Sequence, residues 1–236
     1  MAGLNTRFHD VGVDCPKYLL PWGNESIITE ILEQLTKDYN FKEIMLLANK
    51  RDSYFKHKLR LATDKFGVNI YYIGDTHGQA ETAAIAAKMT ELDCPILFHN
   101  ADTIISDRSM KGIQEFLIRN DAYIDTFYAD NPAYCYVNVD HEKIISIDEK
   151  KTITGIASSG LYGFKSAKEY LKAYDQTVKF ASSETYISDV LQTILKNGGS
   201  IAINERIHSQ SFFKNRAATK VIGSPKEYWE AINEIN

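Results

Sequence analysis

The sequence predicts an α/β protein: a mixed, mostly parallel sheet flanked by helices, with a small antiparallel β portion in the second half. Two observations carry that expectation. In the first half, short apolar or β-rich runs alternate with segments whose apolar residues recur at helical spacing. Strand–helix–strand repeats with short links read as right-handed βαβ units on a parallel sheet. In the second half, four β-rich runs lie close together, so part of that region should be antiparallel.

Taken in order, the chain opens on MAGLNTRFHDVGVDCPKYLLPW, which has almost no periodicity and no ordinary first helix or strand. Ile27, Ile28, Ile31, Leu32 and Leu35 then repeat at helical spacing. EIMLLAN (43–49) has the look of a buried strand, and Phe55, Leu59, Ala62 and Phe66 mark a helix. VNIYYIG (68–74) is β-rich, and QAETAAIAAKMT (79–90) is a helix former by composition. PILFHNADTII (95–105) starts as a buried strand and leaves it at Asn100, and Ile113, Phe116 and Leu117 predict another helix.

The closely spaced runs are AYIDTFYAD, AYCYVNVD, KIISIDE and SGLYGFK. Helices are expected near 166–178 and 185–197, the second ended by Gly198-Gly199. Ser224-Pro225-Lys226-Glu227 carries a start signal for a last helix at about 225–235: Ser at the N-cap, Pro in the first turn, Glu three residues after the cap. No linker, repeat or low-complexity tract interrupts the 236 residues, which read as one domain spanning 1–236.

Composition narrows the function classes. A net charge of −4 gives no basic surface for nucleic acid or an anionic membrane. No apolar run approaches the ~20 residues that span a bilayer, and Met1 is followed by polar sequence rather than a secretory leader. Cys15, Cys94 and Cys135 are odd in number and widely spaced, which fits neither a metal motif nor a disulfide framework and points to a reducing cytoplasm.

The opening stretch is the unusual feature. Gly3 and Asn5 suit positive φ or close backbone approach, and Arg7 and Lys17 flank a flexible polar segment. Backbone N–H groups in a glycine-containing turn, with two cations, make a cradle for phosphates; on spacing alone the stretch reads first as a surface loop with two solvated cations. It contains neither G-x-x-x-x-G-K-[ST] nor G-x-G-x-x-G, and no helix is expected to start at it.

Several ordered motifs resemble the sugar-phosphate nucleotidyltransferases, the nucleoside-diphosphate-sugar pyrophosphorylases. MAGLNTRF followed by CPKYLLPWGNESIITEILEQL is similar to G-x-G-[TS]-R-[FL], then P-K-P-L-[LV]-P and a helix. HGQAETA resembles that family's base-binding loop, and HNADTII its N-G-D-T-I-I. IDEKKTITGIASSGLYGFK resembles I-x-E-K-P then N-x-G-I-Y-x-F, ETYISDVLQTILKNG resembles the helix at G-E-x-x-x-T-D, and VIGSPKEYWEAI resembles the closing G-T-P-E-D-L. The resemblance covers nearly the whole chain and implies a Rossmann-like sheet.

It also implies roles. Arg7 would grip the triphosphate, and Ala2, Gly3, Leu4 and Asn5 would wrap it. Lys17 would sit at the phosphates where the new bond forms. Asp102 would hold a catalytic Mg2+, and Gly78 and Gln79 would read the nucleobase. Glu149 and Lys150, with Ser159 and Gly160, would bind the sugar and its phosphate. The implied reaction is transfer of an NMP group from a nucleoside triphosphate to a sugar 1-phosphate with release of pyrophosphate, for cell-surface polysaccharide precursors. The partners are then those two small molecules, with no nucleic acid and no membrane; homo-oligomerisation stays open. A phosphate monoester carries about −1.5 to −2 charge at pH 7, so such a reaction needs positioning and electrostatics rather than a general base.

Four departures keep alternatives open: Asn5 replaces the second glycine, Ala101 replaces the glycine before the metal aspartate, no acid occurs at Val221 or Gly223, and no apolar strand precedes Met1. The last leads to the expectation that the natural protein begins upstream with such a strand. The alternatives are a cytidylyltransferase acting on a non-sugar phosphate, or a catalytically silent nucleotide-binding subunit of the same fold. His99 and the aromatic set Tyr123, Phe127, Tyr128, Tyr134 and Tyr136 read mainly as packing.

Overall fold

A computed structural model describes residues 5–141, 143–149, 155–179, 184–204 and 218–235 of the protein. In chain order the elements are α1 (Thr6–His9), β1 (Pro21–Trp22), β2 (Glu25–Ser26), α2 (Ile27–Thr36), β3 (Met45–Asn49), α3 (Lys56–Thr63), β4 (Asn69–Ile73) and α4 (Gln79–Lys88). They continue with β5 (Ile96–His99), β6 (Thr103–Ile105), α5 (Met110–Arg119), β7 (Ala122–Tyr128), β8 (Cys135–Asp140), β9 (Lys143–Glu149) and β10 (Ile156–Phe164). The chain then forms α6 (Ala167–Val178), α7 (Ile187–Lys196), β11 (Ile201–Ile203), β12 (Thr219–Val221) and α8 (Pro225–Ile235). These pack as two compact units, one within 5–75, 100–110 and 218–235, the other within 76–99 and 111–204.

In the first unit α2 is the organising rod. Ser26 caps it, its Oγ accepting from the Thr29 amide at 3.4 Å. Ile27 and Ile31 turn to a cluster with Phe8, Leu20, Trp22, Ile104, Ile222 and Tyr228. Ile28 and Leu32 turn to a second cluster with Tyr18, Leu19, Leu46, Ala48 and Leu59. The opening stretch therefore anchors to both sides of one helix through Phe8, Tyr18, Leu19, Leu20 and Trp22, all buried. Each such side chain contributes roughly 1.5–3 kcal/mol on burial, which is why a segment without periodicity is nevertheless ordered. β3 and β4 pair in parallel, and β6 pairs antiparallel with β12, setting Thr103 opposite Val221.

In the second unit the sheet runs β11-β7-β10-β8-β9, with β5 also on β10. The α/β class and the mixed sheet agree with the expectation, but the balance of directions differs. Among the described residues only β3–β4 and β7–β11 are parallel. The cause is β10, which lies antiparallel to β5, β7 and β8, together with the β8–β9 hairpin. Helices α4, α6 and α7 supply the core: Ala80, Ala83, Ala84 and Ala87 allow close approach, and Tyr170 lies 4.7 Å from the rings of both Phe98 and Phe164.

The helix ends follow the sequence. Gly198 N donates to Leu195 O at 3.0 Å and Gly199 N to Ile194 O at 2.9 Å, with Gly198 at φ 79°; this is the double closure that favours glycine past a helix end. Ser224 caps α8, its Oγ accepting from the Glu227 amide at 3.3 Å and bonding the Glu227 carboxylate at 2.8 Å. The aromatic set is largely packing: Tyr123 stacks on Phe116, Phe127 meets Tyr134, and buried Tyr136 donates to the Asn131 carbonyl. The three cysteines are free thiols, and among the described residues no helix is long and apolar enough to cross a membrane.

The end of β3 is held by one polar side chain. Asn49, 2% exposed, accepts from the Arg51 amide at 2.9 Å through Oδ1 and donates to Asp75 Oδ1 at 2.9 Å through Nδ2. The Asn49 bond, then Arg51, holds the Asp75 carboxyl below the usual carboxylate range. A depressed folded-state value contributes stability above the unfolded pKa and loses it as pH falls through the folded one. Replacing Asn49 by Ala should lower the unfolding free energy by about 1–2 kcal/mol and move the Asp75 titration, followed by carboxyl NMR, upward toward its ordinary value. An unmoved Asp75 would show that Arg51 alone sets it.

Candidate active site

In the first unit, the site is built on the opening segment. Asn5 takes φ 55°, and its carbonyl accepts from the Phe8 and His9 amides at 3.1 and 3.2 Å. This makes one helical turn, α1, at a place where the sequence predicts none; the left-handed Asn and the burial of Phe8 produce it. The Asn5 amide points inward: Nδ2 donates to Cys15 O at 3.3 Å, and Oδ1 is buried without a partner among the described residues. Arg7 emerges from this turn and its Nη1 reaches the Gly223 carbonyl at 3.5 Å.

Lys17 starts a 3-10 turn, Lys17–Leu19, closed by the Leu19 amide on Pro16 O at 2.8 Å. Tyr18 fixes that turn. Its ring is 3% exposed and its hydroxyl donates to Asp52 Oδ2 at 2.7 Å; burial, then the Asp52 carboxylate, holds the phenol far above its ordinary range, so it stays a donor. With Tyr18 and Leu19 pinned, the Lys17 ammonium meets Asp102 Oδ2 at 2.5 Å, with side chains 27% and 23% exposed.

Asp102 stands just before β6. The Ile222 amide donates to its carbonyl at 2.7 Å, and Thr103 Oγ1 lies 3.4 Å from its Oδ1. The 222–223 segment thus touches both Asp102 and Arg7. Arg7 and Asp102 meet on the loop where the sequence shows no second acid, and Lys17 joins them through Asp102. No group of three or more His, Cys, Asp and Glu suited to a metal occurs among the described residues. Asp102 as a lone carboxylate would fit magnesium only together with substrate phosphates and water, not as part of a dedicated all-protein cage.

The second unit holds the other predicted residues. Gly78 precedes α4 at φ 137°, and a Cβ there would lie 2.7 Å from both Glu184 Cγ and the Thr185 carbonyl. The Ala80 amide donates to that carbonyl at 3.1 Å, and Gln79 Oε1 accepts from the Ile187 amide at 3.3 Å. Gln79 is therefore tied into the start of α7 through its side-chain oxygen. Glu149, at the end of β9, accepts from Ser188 Oγ on the same helix start. Gly78, Gln79 and Glu149 are thus gathered by residues 184–188. Ser159 and Gly160 lie in the irregular stretch of β10, where the pairing register with β7 shifts between Ser158 and Tyr162. Ser159 is 2% exposed, with its Oγ accepting from the Leu161 amide at 3.4 Å, and Gly160 has φ 89°. Ala2, Gly3, Leu4 and Lys150 lie outside the described residues.

A family model for nucleotidyl transferases matches residues 1–236. A mannose-1-phosphate guanyltransferase of Yarrowia lipolytica is 29% identical over 125 residues, covering 52% of this chain and 34% of the relative. The chain thus spans about a third of the length of the curated relative it matches. The fold is similar to that of a nucleoside-diphosphate-sugar pyrophosphorylase from Vibrio cholerae RC9, with TM-score 0.81, 21% identity and coverage of 99% of this chain and 98% of that one. A provisionally assigned glucose-1-phosphate thymidylyltransferase from Bacillus anthracis gives TM-score 0.79 at 20% identity, covering 99% and 92% of the two chains.

The Gly78 geometry has a direct consequence. Gly78→Ala forces a Cβ against the Glu184 side chain and the Thr185 backbone, at a positive φ, and should destabilise the protein by about 1–3 kcal/mol. Denaturant unfolding measures this, and a midpoint equal to wild type would mean that residues 184–185 yield without cost.

Proposed function

The chain belongs to the nucleotidyl transferase family, and on that premise we propose that it transfers an NMP group from a nucleoside triphosphate to a sugar 1-phosphate. An oxygen of the acceptor phosphate forms a bond to the α-phosphorus, the bond from that phosphorus to its bridging oxygen breaks, and pyrophosphate leaves with the electron pair. The observation that carries this reading is that Asp102 and Arg7 both meet the 222–223 loop while Lys17 pairs with Asp102. The acceptor is already an anion, so the need is charge stabilisation and alignment rather than proton abstraction.

Arg7 would contact the triphosphate, with Ala2, Gly3, Leu4 and Asn5 around it. Lys17, exchanging the Asp102 carboxylate for phosphate oxygens, would meet the charge that grows at the α-phosphate. Asp102 would hold magnesium together with those phosphates; the ion supplies neutralisation of the triphosphate charge. Gly78 and Gln79 would border the base, and Glu149, Lys150, Ser159 and Gly160 the acceptor. The inward turn of the Asn5 amide supports an active enzyme, because that side chain would then stay clear of a triphosphate held by the opening loop. The free thiols support a reducing cytoplasm, where the product would serve cell-surface polysaccharide synthesis as one nucleotidyltransferase domain.

Pyrophosphate release in a screen of nucleoside triphosphates against phosphorylated acceptors tests this. Turnover with sugar 1-phosphates supports it, turnover only with a phosphorylated amino alcohol replaces the acceptor, and nucleotide binding without turnover makes the chain a silent subunit. In the active combination Lys17→Ala should keep the fold and lose about 2–4 kcal/mol of transition-state stabilisation in kcat/KM. Wild-type rates in that variant would remove Lys17 from the chemistry.

A further inference from the structure

Glu149 is more tightly held than a strand-end carboxylate needs to be. It is the last residue of β9, directly opposite Cys135 across the antiparallel β8–β9 pair. Ser188, 1% exposed in the first turn of α7, donates its hydroxyl to Glu149 Oε1. Cys135, 7% exposed, faces Glu149 from the neighbouring strand. Burial pushes its thiol well above its ordinary range, and the Glu149 carboxylate adds to the effect. It is therefore a protonated, neutral neighbour of the carboxylate and not a competing anion. The nearby α7 N-terminus favours a negative charge as well.

A free Glu side chain loses considerable rotamer freedom when it is ordered. Here that loss is met on folding by Ser188, so a molecule that hydrogen-bonds to Glu149 finds its carboxylate already placed. We infer that Ser188, assisted by Cys135, is a positioning residue for the acceptor and acts through Glu149. This rests on the reading of Glu149 as an acceptor-binding residue. The same helix start also ties Gln79 through the Ile187 amide, which supplies an internal control. General damage to the start of α7 would disturb the nucleotide side too, whereas loss of the Ser188 hydroxyl alone disturbs Glu149.

The test is steady-state kinetics with the triphosphate and sugar 1-phosphate that support wild-type pyrophosphate release. Ser188→Ala should raise the acceptor KM about tenfold, the usual effect of losing a hydrogen bond to a charged group, with kcat and the triphosphate KM within about twofold. Ser188→Thr keeps the hydroxyl and should restore the acceptor KM. In a Glu149→Gln background, Ser188→Ala should add little further. Cys135→Ala should give a smaller rise of the same kind, and it carries the test if Ser188→Ala does not fold. An unchanged acceptor KM, a parallel rise in both KM values, failure of the Thr rescue, or full additivity with Glu149→Gln would each overturn the inference while leaving the proposed reaction standing. A wild-type protein that releases no pyrophosphate with any acceptor would overturn the proposed reaction, and this inference with it.

Discussion

The contact between Lys17 and Asp102 is the constraint around which the first unit is arranged. At 2.5 Å, with each side chain roughly a quarter exposed, the two ions neutralise one another where neither is fully hydrated. Removing one partner of such a pair leaves the other uncompensated, a cost that grows with enclosure. In the proposed reaction an incoming triphosphate and divalent ion would offer each member a better counter-charge: phosphate oxygens for the ammonium, the metal for the carboxylate. The pair is thus both a structural tie and a poised arrangement of the two groups the proposed chemistry requires.

Much of the surrounding structure serves that placement. The Lys17 turn is aimed by Tyr18, whose ring is sunk against Ile28, Leu32 and Leu59 and whose hydroxyl is fixed by Asp52. Asp102 is fixed by β6 and by the Ile222 amide, and Ile222 is itself buried against Ile27 and Ile31. Both sides of α2 are therefore committed: one cluster carries the lysine, the other carries the strand pair beside the aspartate. Arg7 joins through Phe8, which packs on Tyr228 of α8 with ring centroids 6.4 Å apart. Apolar burial supplies the rigidity, and the charged groups ride on it.

The sequence made the helices legible where short-range chemistry decides them. The Ser26 and Ser224 caps, the Gly198-Gly199 closure and the spacing from Ile27 to Leu35 all act within a few residues. Lys17, Arg7 and Asp102 could be named because their types and order match a known set of motifs. What stayed hidden depends on distant partners. α1 needs Phe8 to be buried by residues from the other end of the chain. The short strands β11 and β12 exist only by pairing with β7 and β6. The antiparallel balance follows from where β10 inserts, which periodicity along one strand does not encode. Ser188 and Cys135 are ordinary residues by type; only the fold places them on Glu149. Gln79, expected at a nucleobase, has its side-chain oxygen tied to α7, a contact with no local sign.

The central claim is that Asp102 exchanges its lysine for a metal when substrate binds. The most direct measurement is the magnesium dependence of pyrophosphate release in Asp102→Asn, beside calorimetric binding of the triphosphate. The account predicts retained nucleotide binding with metal-dependent turnover lost, because Asn keeps the shape of Asp and one acceptor oxygen but not the charge that holds the ion. A magnesium dependence identical to wild type would contradict it and assign the metal to another acid.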